Sequence, residues 1–395
     1  MPNDLKIIGR LPGTRRTVRL TLSNGAVSEL MDVDTSSDVW ICPGLVDIQS
    51  NGYDGHDVRA LDVDSETIHD FVAALWAQGV SAVCPTVTTG PEERVIHSLQ
   101  AIAAARKADP LVAKAIPCAH VEGPYLCADD GPRGAHDRRY LRTPDVEEFL
   151  RWQRAGDNVV GIVTLAPELP GAEHYIGEIS RRGVVAAIGH TGAGADDIDR
   201  AVAAGARLST HLGNGAHAQI ARHPNYIWEQ LADDRLMASF IADGHHLPAS
   251  TLSAMLRAKG IQRSILVSDS VALAGNAPGR YSGPTGLPVD LTADGRLSLS
   301  GTTLLAGAAR NLRECLAWAV YNGGVTLSQG IAMASLNPVR LLRRALTRGP
   351  VRIGADADLT LLRPRPEAKH IDVVATIVDG VVVHQVSDAP IGRYL

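Results

Sequence analysis

The sequence predicts an α/β fold: a parallel sheet closed into a (β/α)8 barrel, with a small sheet domain made by both ends of the chain. Three observations point there. From Pro43 onward, short aliphatic runs alternate with Ala-rich helical segments; eight such runs occur; and the chain reads as β before residue 43 and again after about Leu346. Strand–helix alternation of this length requires helical crossovers between parallel strands, and eight strands suffice to close a barrel. The 395 residues exceed one ordinary domain, but a barrel can take about 250 residues as a single unit.

Residues 1–42 alternate and turn without a helical period, and Asn24-Gly25 is a hairpin signal. The barrel body spans 43–345. Its strand candidates are "GLVDI", "AVCPTV", "AIPCAHV", "VVGIVTLA", "GVVAAIGH", "RLSTHL", "LMASFIA" and "SILVSDS". Parallel strands covered on both faces give such continuous aliphatic runs. "SETIHDFVAALWAQG", "RVIHSLQAIAAARK" and "ADDIDRAVAAGA" lie between them and read as helices. Beyond Leu346, "VRIGADADLTLLRP" and "VVATIVDGVVVHQV" return to a β pattern, so 1–42 and 346–395 are expected to form one small domain.

Composition narrows the function. Aromatic residues are only 4% of the chain, so the core must be largely Ala, Val, Leu and Ile. A net charge of −5 gives no reason to expect nucleic acid or an anionic membrane as partner. Five cysteines without a CxxC pair, and no apolar leader after a basic N-terminus, indicate a reduced, cytoplasmic setting. The most apolar stretch, "FVAALWAQGVSAVCPTV", contains Gln78, Gly79 and Pro85, which suit a helix turning into a strand and not a membrane span.

Polar residues recur at the C-terminal ends of the aliphatic runs: Gln49 and Asn51, Glu122, His190, His211 and Asp269. In a barrel those ends converge on the face where active sites are built. One Glu with two His is the ligand set of a catalytic zinc site that keeps a fourth position for water. A divalent metal lowers the pKa of that water toward ~7, and a carboxylate such as Asp269 could take its proton and pass it to a leaving group. A lone His at a strand end is more often structural, and Glu122 could merely cap a turn. All of them at strand ends together point to metal-assisted hydrolysis. His136, after "DDGPRGAH", could polarise a substrate carbonyl or simply decorate its loop. His245 and His246 in "ADGHHLP" lie within reach of the same bowl. His217, Arg222 and His223 read as solvated loop residues, and Cys118 and Cys127 as inert thiols.

With these residues in place, the sequence resembles the amidohydrolase superfamily, and within it the N-acetylglucosamine-6-phosphate deacetylases. The matches run in order over nearly the whole chain: "PGLVDIQSNG" (43–52), "HVEGPYL" (120–126), "GAH" (134–136), "TLAPE" (164–168), "IGHT" (188–191), "THLGN" (210–214), "ADGHH" (242–246), "LVSD" (266–269), "LLAGAA" (304–309), "LNPVRLL" (336–342) and "GADADLTLL" (354–362). The resemblance implies a distorted (β/α)8 barrel with a small β-sandwich contributed by both termini. It implies one divalent metal ion per subunit on Glu122, His190 and His211. Zn2+ is the expected ion, although such ligands also accept Fe2+, Mn2+, Co2+ or Ni2+. Asp269 would be the general base and acid, and His136 would polarise the acetamide carbonyl. Asn214, Gly215 and His246 would contact an N-acetylated amino sugar phosphate. Arg222 falls where the family has an arginine that reaches a neighbouring subunit's phosphate, which implies a homodimer.

Departures from the family lie on the substrate side. "HLGNGAH" carries Gly213, which removes a side chain from the pocket wall, and Gly215, which loosens a backbone expected to touch phosphate. The loop from Glu122 to His136 is two residues longer, and "RHPNYIWEQ" replaces the usual continuation after Arg222. A deacetylase or amidase for another N-acyl sugar or N-acyl amino acid is therefore the alternative, and a non-catalytic barrel scaffold a remote one. Two-metal members of the superfamily end the first strand in His-x-His. Gln49-Ser50-Asn51 stands there instead, so a single metal is expected, with the two amides filling the second position by hydrogen bonding.

Overall fold

A computed structural model of the chain describes residues 4–14, 16–283, 287–342, 346 and 348–393. Eight parallel strands stand side by side in sequence order: Leu45–Ser50, Val80–Thr88, Ala119–Glu122, Val160–Leu165, Val185–Ile188, Leu208–Ser209, Met237–Ile241 and Ser264–Val267. Each of the eight aliphatic runs supplies one strand. The first and last are stitched at the C-terminal rim, where Asp269 N donates to Gln49 O at 2.8 Å and Asn51 N to Ser270 O at 2.7 Å. The rim that carries the polar residues is thus also where the ring is drawn together.

Side chains alternate across a strand, and the alternation sorts the sequence cleanly. Val46, Ile48, Ala82, Cys84, Cys118, Ile162, Ala187, Leu208, Ile241, Ile265 and Val267 form one core cluster inside the barrel. Leu45, Val83, Val87, Val121 and Val163 belong to the larger core between strands and helices. Moving up the interior, the same inward register passes from apolar to polar: Cys118 to His120 to Glu122, Ile162 to Thr164, Leu208 to Thr210, and Val267 to Asp269. The helix Ser65–Trp76 shows how the outer layer is specified. Asp64 caps it by accepting from Thr67 N at 2.8 Å, and Ile68, Phe71, Val72 and Leu75 make its buried stripe.

Two details differ from the sequence reading. The run "AIPCAHV" becomes a strand only at Ala119, because Ala115 ends a short helix, Pro110–Ala115, capped by Asp109. Pro117 has no N–H to offer a ladder. After the last barrel strand, Gly279–Ser282, Pro288–Leu291 and Leu297–Leu299 make a three-stranded antiparallel sheet that no aliphatic run announces.

Both chain ends share one further sheet. Trp40–Pro43 lies between Leu359–Arg365 and Leu5–Arg10, and Leu5–Arg10 also pairs with Ile391–Arg393. The Asn24-Gly25 turn joins Thr17–Ser23 to Ala26–Asp32, with φ of 51° and 75° at its two residues. Ile7, Val18, Leu20, Ile41, Leu361 and Ile377 pack its core. The expected boundary between 345 and 346 runs beside residues outside the described set.

This sheet docks where the barrel strands begin, opposite the polar rim. Thr360 Oγ1 donates to Gly79 O at 2.6 Å and accepts from Leu45 N at 3.2 Å. Thr376 Oγ1 donates to Trp76 O at 2.6 Å, and Arg348 pairs with Asp358 at 3.1 Å, both nearly enclosed. Replacing Thr360 by Val keeps the shape but leaves a buried N–H and a buried carbonyl unpaired. Such a loss costs about 1–3 kcal/mol. Thr360→Val should lower the denaturant midpoint accordingly, and an unchanged midpoint would show that the joint does not depend on this hydroxyl.

Candidate active site

The polar rim brings Glu122, His190 and His211 onto one point. His211 Nε2 lies 2.9 Å from Glu122 Oε1, His190 Nε2 lies 3.3 Å from the same oxygen, and the two Nε2 atoms are 3.1 Å apart. All three side chains are buried. His190 Nδ1 faces Pro132 O at 2.7 Å. A carbonyl only accepts, so Nδ1 carries a proton and Nε2 is the ring nitrogen turned toward the other two. Lone pairs this close repel unless a proton or a cation lies between them. The four-coordinate shell of zinc, at about 2.1 Å, has edges of about 3.4 Å, close to the three separations. The donor set therefore fits a small divalent cation. Burial alone would disfavour charge on Glu122, but the two histidines outweigh it and hold its pKa well below the usual carboxylate range.

Gln49 and Asn51 hold the carboxylates of the site. Gln49 Nε2 donates to Glu122 Oε1 at 2.8 Å, and Asn51 Nδ2 donates to Asp269 Oδ1 at 2.8 Å. Burial and then the charge of Glu122 raise the pKa of Asp269 to about 6. A carboxyl tuned that way exchanges protons near neutrality. The backbone at the site is strained: φ is 52° at His190, 29° at His211 and 49° at Asp269. Non-glycine residues rarely adopt these values, and such strain gathers at functional positions.

His136 is brought to the same cluster. Its ring packs edge-on to His190 with centroids 4.4 Å apart, and Glu122, His136 and His190 present ligand atoms within 4.8 Å of one another. Nδ1 of His136 meets Thr89 Oγ1 at 2.8 Å, and burial, then His190, lower its pKa to about 3. His246 is oriented by Asp243, whose Oδ2 accepts from His246 Nδ1 at 2.7 Å. Asn214 turns its amide back to His211 O at 3.2 Å. Gly215, at φ 54°, lies against His190: a Cβ there would stand 2.6 Å from His190 Nδ1. Arg222 stands exposed on the loop after His211, and among the described residues its guanidinium has no partner. His217 and its N–H both face Tyr226 OH, at 3.1 and 2.8 Å.

Several contributors are not singled out by the sequence reading. Thr89, Pro132 and Asp243 matter through what they hold in place. For Asp243 a signal existed: "DGHH" sets a carboxylate three residues before a histidine just beyond a strand. The threonines at inward positions carried no such mark.

Comparison with known proteins agrees with the geometry. A model of the Amidohydrolase family matches residues 40–384. N-acetylglucosamine-6-phosphate deacetylase from Bos taurus is 32% identical over 363 residues, covering 88% of this chain and 84% of that protein. N-acetylgalactosamine-6-phosphate deacetylase from Escherichia coli O157:H7 is 31% identical over 355 residues, covering 88% and 85%. The structure of a mutant N-acetyl-D-glucosamine-6-phosphate deacetylase from Mycobacterium smegmatis, in complex with N-acetyl-D-glucosamine-6-phosphate, superposes with a TM-score of 0.84. Identity there is 27%, over 96% of this chain and 99% of that one.

The contact between Gly215 and His190 makes a test of the site's construction. Gly215→Ala should push the His190 ring off Pro132 O and weaken Zn2+ binding by about 10-fold or more, the scale on which the groups that orient metal ligands act. Equilibrium dialysis measures it, and wild-type affinity would show that His190 does not depend on the bare glycine.

Proposed function

The chain belongs to the amidohydrolase family, and we propose that it is a metal-dependent deacetylase that hydrolyses the acetamide of N-acetylglucosamine 6-phosphate to glucosamine 6-phosphate and acetate. The observation that carries this reading is the convergence of Glu122 Oε1, His190 Nε2 and His211 Nε2 beside an Asp269 carboxyl raised to about 6. We assign the catalytic unit to residues 43–345.

Glu122, His190 and His211 would hold the ion, most naturally zinc, which when bound supplies Lewis acidity to water and to the amide carbonyl. Asp269 takes the proton of the attacking water and returns it to the departing amine. Asn51 holds that carboxylate by its Oδ1. Thr89 Oγ1 holds Nδ1 of His136 at 2.8 Å, and this ring, kept uncharged by burial, would hydrogen-bond the developing oxyanion through Nε2 in the tautomer that carries its proton there. His246 donates through Nδ1 to Asp243 and so offers Nε2 as an acceptor for a sugar hydroxyl. Gln49 and Asn51 are neutral amides already committed to Glu122 and Asp269, so the end of the first strand offers no imidazole to a second ion.

Arg222, exposed and unpartnered among the described residues, serves the phosphate in the site of a second copy, so the working unit is a homodimer. Ile220 and Trp228, exposed on either side of it, suit such an interface. All five cysteines are free and buried, as suits the reducing cytoplasm in which we place the enzyme. Among the described residues no helix is long and apolar enough to cross a membrane. A different N-acyl sugar is the second reading, favoured by the Escherichia coli relative named for the galacto isomer; Gly213, read from the sequence as a gap in the pocket wall, instead faces the buried side chains of Leu247 and Met255.

Two outcomes are expected. Zinc-loaded enzyme should release acetate from N-acetylglucosamine 6-phosphate, and Asp269→Asn should slow release by about 100- to 10,000-fold while retaining its zinc. No acetate from this substrate, with turnover of another N-acyl sugar in the same panel, would transfer the assignment to that sugar. Metal analysis of the purified chain should return close to one divalent ion per subunit. A stoichiometry near two, with an ion beside Gln49, would refute the single-metal reading.

A further inference from the structure

We infer that His120, Thr164 and Thr210 form a hydrogen-bonded belt inside the barrel that sets the spacing of Glu122, His190 and His211. The inference rests on the metal-site reading above and adds positioning residues to it.

The belt joins three strands and the end of a fourth. His120 Nδ1 lies 3.1 Å from Ile48 O, His120 Nε2 lies 2.7 Å from Thr164 Oγ1, and Thr164 Oγ1 lies 2.7 Å from Thr210 Oγ1. The direction of every bond follows. Ile48 O can only accept, so the imidazole proton is on Nδ1. In the tautomer that this fixes, Nε2 accepts the Thr164 proton. Thr164 Oγ1 then accepts from Thr210. No member has a free choice of partner.

Each member belongs to, or packs against, backbone that carries a site residue. His120 is two residues before Glu122 on the same inward face. Thr210 precedes His211. Ile48 precedes Gln49, which donates to Glu122 Oε1 at 2.8 Å. Gly189 precedes His190, and a Cβ there would meet Thr164 Cγ2 at 2.8 Å and Thr210 Cβ at 2.9 Å, so both threonines abut its backbone. The belt lies one inward step above aliphatic Ile162 and Leu208, where valines would fill the same space. A wholly apolar layer would pack as well but would let neighbouring strands settle by size alone. Hydrogen bonds of 2.7 Å fix how far apart they stand.

The test is Zn2+ affinity, measured by competition with a chelating dye on wild type, Thr164→Val, Thr164→Ser and Glu122→Gln. Thr164→Val should bind Zn2+ about 10- to 100-fold more weakly, the usual scale for groups behind metal ligands, and Thr164→Ser should recover most of the loss. Wild-type affinity in Thr164→Val would overturn the belt. If Thr164→Val does not fold, Thr210→Val and Thr210→Ser carry the same comparison. A second measurement is independent of zinc: long-range 1H–15N correlation of the metal-free wild type, with His120→Gln for assignment. A neutral His120 protonated at Nδ1 supports the belt; protonation at Nε2 overturns it. Undiminished zinc affinity in Glu122→Gln would overturn the metal-site reading instead, and the His120 tautomer would still decide the belt.

Discussion

One carboxylate oxygen and two imidazole nitrogens are held within 3.3 Å of one another in a buried bowl. With no proton or cation between them they would repel, and the surroundings prevent their separation. Pro132 O fixes one ring, Gln49 holds the carboxylate, and the seam between the first and last strands closes within two residues of Gln49 and Asp269. The barrel, in this sense, holds together a set of acceptors that need a proton or a cation between them. The inward switch from Cys118 and Ile162 to His120, Glu122 and Thr164 expresses the same division within single strands: grease where stability is needed, dipoles where the charge will sit.

Stability and chemistry occupy opposite ends of the barrel. The small sheet grips the strand beginnings through Thr360, Thr376 and the enclosed Arg348–Asp358 pair, while the strand endings carry Glu122, His190, His211 and Asp269. Loops at the upper rim are therefore free to vary without loosening the joint below. Gly213, Gly215 and Arg222 all lie in one such loop.

Much of this was legible beforehand because parallel strands buried on both faces leave uninterrupted aliphatic text, and because Glu122, His190, His211 and Asp269 are conspicuous interruptions at its edges. The exposed sheet of Gly279–Ser282, Pro288–Leu291 and Leu297–Leu299 was not legible, since short antiparallel strands with solvated faces leave little hydrophobic pattern. Thr89, Thr164 and Thr210 escaped for a different reason. A threonine in a strand needs no explanation, and only the neighbour across the barrel reveals its hydroxyl's task. Gly215 was read as slack in a phosphate loop, whereas the structure seats it against His190, a contact between residues 25 positions apart that no local pattern encodes.

The left-handed backbone at His190, His211 and Asp269 carries an evolutionary cost. Each such residue gives up roughly 1–2 kcal/mol that a glycine would keep. Selection for folding alone would therefore drift toward losing these side chains, and a relieved, inert descendant could outlast the active protein in heat. In this chain the three side chains stand against the grain of their own backbone, and replacing any of them by glycine would trade the site for stability.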